Sequence, residues 1–124
     1  MYVMFAVIND VRKVKPVINK LRELGIKGAT IVDTMGGGTY CAHYSGHRPA
    51  IGSAYRTMND AGTFNKTIIS VVYCEKHVLA AMDAIEEILG GNMKKSGSGI
   101  IFTVPTVDFR GGELDRYLRD HNCL

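Results

Sequence analysis

YVMFAVINDVRKVKPVINKLRELGIKGATIVDT, residues 2–34, reads as strand, helix, strand. Tyr2 to Ile8 is an unbroken apolar run, short and rich in β-branched and aromatic residues, which predicts a strand apolar on both faces. From Asp10, a suitable cap, Val14, Val17, Ile18, Leu21 and Leu24 recur at helical spacing, with Pro16 tolerable near the first turn. Gly25 supplies the left-handed residue that ends the helix. Ala29 to Thr34 then predicts a second strand, stopped by Gly36-Gly37-Gly38.

The second half of the chain repeats the pattern. Thr67 to Cys74 predicts a third strand. Val78, Ala81, Met82, Ile85, Ile88 and Leu89 fall on one helical stripe, stopped by Gly90-Gly91. Ile100 to Val104 predicts a fourth strand, which Pro105 argues against extending. The order βαββαβ is the split pattern of ferredoxin-like α+β folds. Right-handed crossovers then place both helices on one face of a four-stranded antiparallel sheet. A single domain over residues 1–124 follows, with a long loop at about 35–66 and a tail at about 108–124. In the tail Leu114, Tyr117 and Leu118 are spaced for a short helix. Residues 35–66 show no period of 2 or 3.6, and compact domains seldom keep a connection beyond about 15 residues without a use for it.

Composition bounds the partners. The chain has 124 residues, 46% hydrophobic and 22% charged, so one modest core is what it buries. The first strand, and the third through Ile68, Ile69, Val71 and Val72, do not alternate. The helix-free face is therefore expected to be covered by other subunits, since obligate interfaces resemble a core. Fifteen Lys and Arg against 12 Asp and Glu give +3, scattered without a basic stripe, which disfavours nucleic acid. No apolar run approaches the roughly 18 residues of a membrane span, and the N-terminus lacks a signal peptide's features. A cytoplasmic protein is expected. Cys41, Cys74 and Cys123, an odd number without a C-x-x-C, fit reduced thiols.

Of 14 glycines, seven cluster near strand ends: Gly25 and Gly28; Gly36, Gly37 and Gly38; Gly97 and Gly99 beside Ser98. Such loops let backbone N–H groups converge on an anion, so a phosphate is held by a nest without lysines. The P-loop pattern and the G-x-G-x-x-G fingerprint are both absent.

Gly25-Ile26-Lys27-Gly28-Ala29-Thr30, followed by a short strand and Gly36-x-Gly38, resembles the stretch leading into the T-loop of the PII signalling proteins. Gly97-Ser98-Gly99-Ile100-Ile101-Phe102 is similar to their B-loop and the strand after it. The resemblance covers about residues 2–107 and implies a homotrimer with an adenine nucleotide (AMP, ADP, ATP or a cyclic nucleotide) in each cleft between neighbours. It implies that Ile8 and Gly28-Ala29-Thr30 surround the base and that Gly36, Gly37 and Gly38 approach the nucleotide. Gly97, Ser98 and Gly99 would supply phosphate-binding backbone, and Arg110 would reach a phosphate from the C-terminal loop. Phe102 is expected in the core.

The departures bear on function. Thr39 and Tyr40 stand where PII proteins carry a basic residue and the glutamine of the magnesium–2-oxoglutarate site. The B-loop's usual Asp and Lys are replaced by Ser98 and Ile100, which weakens a triphosphate site, though Lys94 and Lys95 lie just upstream. A member outside the nitrogen-regulatory group is expected, acting through residues 35–66 on a transporter or an enzyme. Tyr40, Tyr44, Arg48, Tyr55 and Arg56 give that segment the composition of a protein interface.

Two other readings stand beside this one. Cys41, His43 and His47 combine soft and borderline ligands within seven residues, so a metal-responsive trimer like the CutA divalent-cation tolerance proteins is one alternative. A purely structural interaction trimer is the other. Catalysis is not expected: Cys41 or Cys74 could pair with His43, His47 or His77, but no orienting group or oxyanion hole is legible.

Overall fold

The computed structural model describes residues 1–44, 64–91, 93, 98–113 and 116. Strand β1 (Tyr2–Ile8) leads through a 3₁₀ turn (Val11–Lys13) into helix α1 (Val14–Glu23), and then come β2 (Ala29–Thr34) and a short helix α2 (Gly37–Tyr44). Strand β3 (Asn65–Val72), helix α3 (Glu75–Ile88) and strand β4 (Gly99–Pro105) complete the fold. The sheet order is β2-β3-β1-β4 with every neighbouring pair antiparallel. This is the four-stranded α+β architecture expected from the order of elements.

Local chemistry accounts for the boundaries. Asp10 Oδ1 accepts from the Arg12 amide and so opens the 3₁₀ turn, which delays α1 to Val14. Pro16 therefore falls in the first turn of α1, where its missing N–H costs nothing. At the other end Gly25 has φ 84°, and the Ile26 amide returns to the Leu21 carbonyl, closing the helix as a left-handed cap does. Strands β3 and β4 begin earlier than the apolar runs suggest, because Lys66 pairs with Ile8 and Asp33, and Gly99 pairs with Ile8.

The core lies on one face of the sheet. Met4, Ala6 and Ile8 of β1 and Ile68 and Val72 of β3 pack against Val17 and Leu21 of α1 and Val78, Ala81 and Ile85 of α3. The other face carries Val3, Phe5, Val7, Ile69, Val71, Ile100, Phe102 and Val104, as their register shows. Within one subunit Phe102 is 42% exposed, stacked on Phe5 with ring centroids 4.8 Å apart. The expectation that Phe102 is core is thus corrected for the single chain: its ring joins an uncovered apolar face.

The other correction concerns residues 35–66. The segment begins as a helix, α2, where the sequence reads as loop throughout, because three glycines and a weak apolar pattern hide an eight-residue helix. The base of the segment is closed by sheet pairing: Thr34 faces Asn65, the Thr34 and Thr67 hydroxyls share a 2.7 Å hydrogen bond, and Lys66 pairs with Asp33. Residues 45–63, with His47, Arg48, Tyr55 and Arg56, lie outside the described residues, as do Gly97, Lys94, Lys95 and most of the C-terminal tail read as helical.

Candidate functional site

Antiparallel pairing divides the expected ligand residues between the two ends of the sheet. β1 and β2 both run antiparallel to β3, so they start at the same end, where β3 and β4 finish. Gly28, Ala29 and Thr30 are at that end, and Arg110 follows β4 there. Ile8, Gly36 to Gly38, Ser98 and Gly99 are at the opposite end, because Ile8 pairs with Gly99 and Thr34 with Asn65. Six residue steps of about 3.3 Å along β1 separate the two groups by roughly 20 Å. A single chain therefore carries two separate candidate half-sites at opposite ends of its sheet.

The first half-site is a cleft of about 1040 Å³ on the helix-free face, at the upper end of the range for ligand pockets. Val3, Ile69 and Val71 form its apolar floor, with Gly28 and Thr30 at one wall and Tyr73 and Thr106 beyond the strand ends. The segment after β4 borders it through Asp108, Phe109, Arg110 and Glu113. Lys27, Arg110 and Arg116 are its cations. Gly28 is held in place by Ser70, whose buried hydroxyl donates to the Gly28 carbonyl at 2.6 Å. Burial pushes the Tyr73 phenol above its ordinary range, which keeps it a neutral hydroxyl. Among the described residues the buried Thr106 hydroxyl has no partner, while the Thr106 amide donates to the Met1 carbonyl.

The second half-site is built of backbone. Gly36 to Gly38 sit at the start of α2, where the Gly36 carbonyl accepts from Tyr40 and the first-turn amides of the helix have no intrahelical partner. Such a terminus favours an anion. Gly99, at φ 118°, is pressed against β1: a Cβ there would lie 2.2 Å from the Val7 carbonyl oxygen. Ile8 is fully buried on the helix side, so its side chain belongs to the core and only its backbone faces this end of the sheet. Ile100, in the place of a phosphate-facing lysine, is 55% exposed on the helix-free face.

Of the metal trio, positions 41 and 43 lie on α2 and His47 lies outside the described residues. Among the described residues no group of three or more metal-ligating side chains converges. Of the interface residues proposed for this segment, Tyr40 is 56% exposed on α2, and Tyr44 ends the helix. Val3, Ile69, Val71 and Tyr73 went unnamed as site residues. Their signal was the lack of alternation in β1 and β3, which marks an apolar face without distinguishing a ligand's floor from a subunit contact.

A search of solved structures found, among others, the crystal structure of Arabidopsis thaliana PII bound to citrate. The match has a TM-score of 0.53 and 22% identity, over 85% of this chain and 76% of that one. No curated protein sequence matches. At that identity the likeness shows the shared fold. The profile of the family described as nitrogen regulatory protein P-II matches residues 2–110, from the first residue of β1 to Arg110 at the cleft, and the chain belongs to this family of regulatory proteins.

Proposed function

We propose that the chain is a trimeric signalling protein that binds an adenine nucleotide between neighbouring subunits and regulates a partner transporter or enzyme through residues 35–66, without catalysing a reaction. The observation that carries this reading is the separation of the two half-sites. Neither end of the sheet makes a complete site, and a ring of identical subunits brings one end of each against the opposite end of the next. The uncovered apolar face supports the same assembly.

In the joined cleft the apolar floor of Val3, Ile69 and Val71 takes the base, beside Gly28, Ala29 and Thr30. Phosphate is met by the amides of Gly36 to Gly38 and of Gly97, Ser98 and Gly99, and by Arg110. With Asp108 and Glu113 offsetting Lys27, Arg110 and Arg116, the described lining carries little net charge, which suits AMP, ADP or a cyclic nucleotide better than ATP. The output is the shape of the long segment. An isolated eight-residue helix opening on glycines is marginal. An anion at its N-terminus adds about 0.3–1 kcal/mol, enough to shift its population and the fit of residues 35–66 to a partner.

The test is a thermal-shift panel of AMP, ADP, ATP, cyclic AMP, citrate, and 2-oxoglutarate with magnesium. A shift with an adenine nucleotide is expected, and none with 2-oxoglutarate, since Tyr40 stands in place of the glutamine of its site. Absence of a shift with every nucleotide overturns the reading. Arg110→Ala is expected to raise the nucleotide Kd by roughly 10- to 150-fold, the worth of a charged hydrogen bond of about 1.5–3 kcal/mol. Titration calorimetry reads it.

A further inference from the structure

Outside the cleft, Cys74 and His77 among the described residues join a nucleophile to a base. Cys74 is the N-cap residue of α3, in extended backbone, and its side chain makes no cap hydrogen bond. Capping is done by its carbonyl, which accepts from the His77 and Val78 amides. The thiol turns instead to the imidazole: Cys74 Sγ lies 3.2 Å from His77 Nδ1. Both residues are partly exposed, so a small reagent has a path to the sulfur. The pair stands over the first turn of a 14-residue helix, whose amides add positive potential where negative charge develops on sulfur.

We infer that the Cys74–His77 pair is a modification site, a thiol that small hydroperoxides oxidise ahead of the more exposed Cys41. The pattern of a thiol within hydrogen-bond reach of an imidazole is that of an activated nucleophile. Nδ1 takes the thiol proton, and the sulfur attacks one peroxide oxygen. The S–O bond forms as the O–O bond breaks, and the departing hydroxide (alkoxide, from an alkyl hydroperoxide) recovers the proton from the imidazolium as water or alcohol. Cys74 ends as a sulfenic acid, oxidised by two electrons while the hydroperoxide is reduced by two. The inference does not rest on the nucleotide reading, although Tyr73, the residue before Cys74, lines the cleft.

Accessibility and activation make opposite predictions, which gives the test its force. Cys41 is exposed and Cys74 only partly so, so access alone favours oxidation at Cys41. The folded protein is treated with hydrogen peroxide, the sulfenic acid is trapped with a cyclic 1,3-dione, and each cysteine is followed by peptide mass spectrometry. Cys74 is expected to react about tenfold faster than Cys41, and the ratio to fall towards one in urea, where the pair is dispersed. His77→Gln is expected to slow Cys74 about tenfold and leave Cys41 unchanged. Faster labelling of Cys41 in the folded protein, or a Cys74 rate indifferent to His77→Gln at unchanged melting temperature, overturns the inference. Should that variant fail to fold, the folded-against-urea ratio of the unaltered chain decides alone.

Discussion

Gly99→Ala is expected to lower the stability of the fold by about 3 kcal/mol or more, a large share of the roughly 5–15 kcal/mol that holds a domain folded. Two costs combine at this residue. Its φ of 118° belongs to a region that side chains with a Cβ rarely adopt, and the added carbon would meet the Val7 carbonyl oxygen at 2.2 Å. That oxygen is part of the β1 backbone, which runs through the middle of the sheet and has no slack to retreat. The check is urea denaturation beside Gly37→Ala, where a Cβ meets nothing within 4 Å. The Gly37 variant is expected to match the unaltered chain or exceed it by up to about 1 kcal/mol, since alanine is the better helix former. Equal midpoints for the two variants would show that the close approach of β4 to β1 is misplaced.

Phe102→Glu is expected to convert the proposed trimer into single subunits while leaving each subunit folded. Phe102 is 42% exposed in the isolated chain and rests on Phe5 at 4.8 Å, so a carboxylate there is solvated when the subunit is alone. Between subunits the same carboxylate would be stripped of water without a cation beside it, at a cost of several kcal/mol per copy. Light scattering after gel filtration reads the mass, and circular dichroism reads the fold. On the proposed reading, the nucleotide-induced thermal shift is expected to vanish with the trimer, because the cleft between neighbours is lost. A variant that stays trimeric would place the subunit contact elsewhere.

The fold was legible because its signals are local. The apolar run Tyr2–Ile8, the stripe from Val14 to Leu24 and the left-handed Gly25 each encode their element within a few residues, and the order of elements leaves few topologies. Helix α2 was not legible. Gly37 and Gly38 are poor helix formers, and the eight residues offer no apolar stripe, so propensity and pattern both pointed to loop. The site was half legible. Glycine clusters mark where backbone approaches something closely, but Gly99 approaches its own β1 and gains its value in the sheet as much as at a ligand. Ile8 shows the limit of reading by position: in a strand the neighbouring residue faces the other way, and this side chain is spent on the core.

If the proposed cleft joins opposite ends of neighbouring sheets, it has a genetic consequence. Gly37→Asp damages one half and Arg110→Ala the other, so a trimer of either variant alone has a lesion in every cleft. Refolded together in equal amounts, the two are expected to assemble at random, and about a quarter of the clefts then draw both halves from undamaged ends. Two variants that each bind nucleotide weakly would thus restore part of the tight binding when mixed, and titration calorimetry of the mixture counts the recovered tight sites. A site contained within one subunit allows no such rescue.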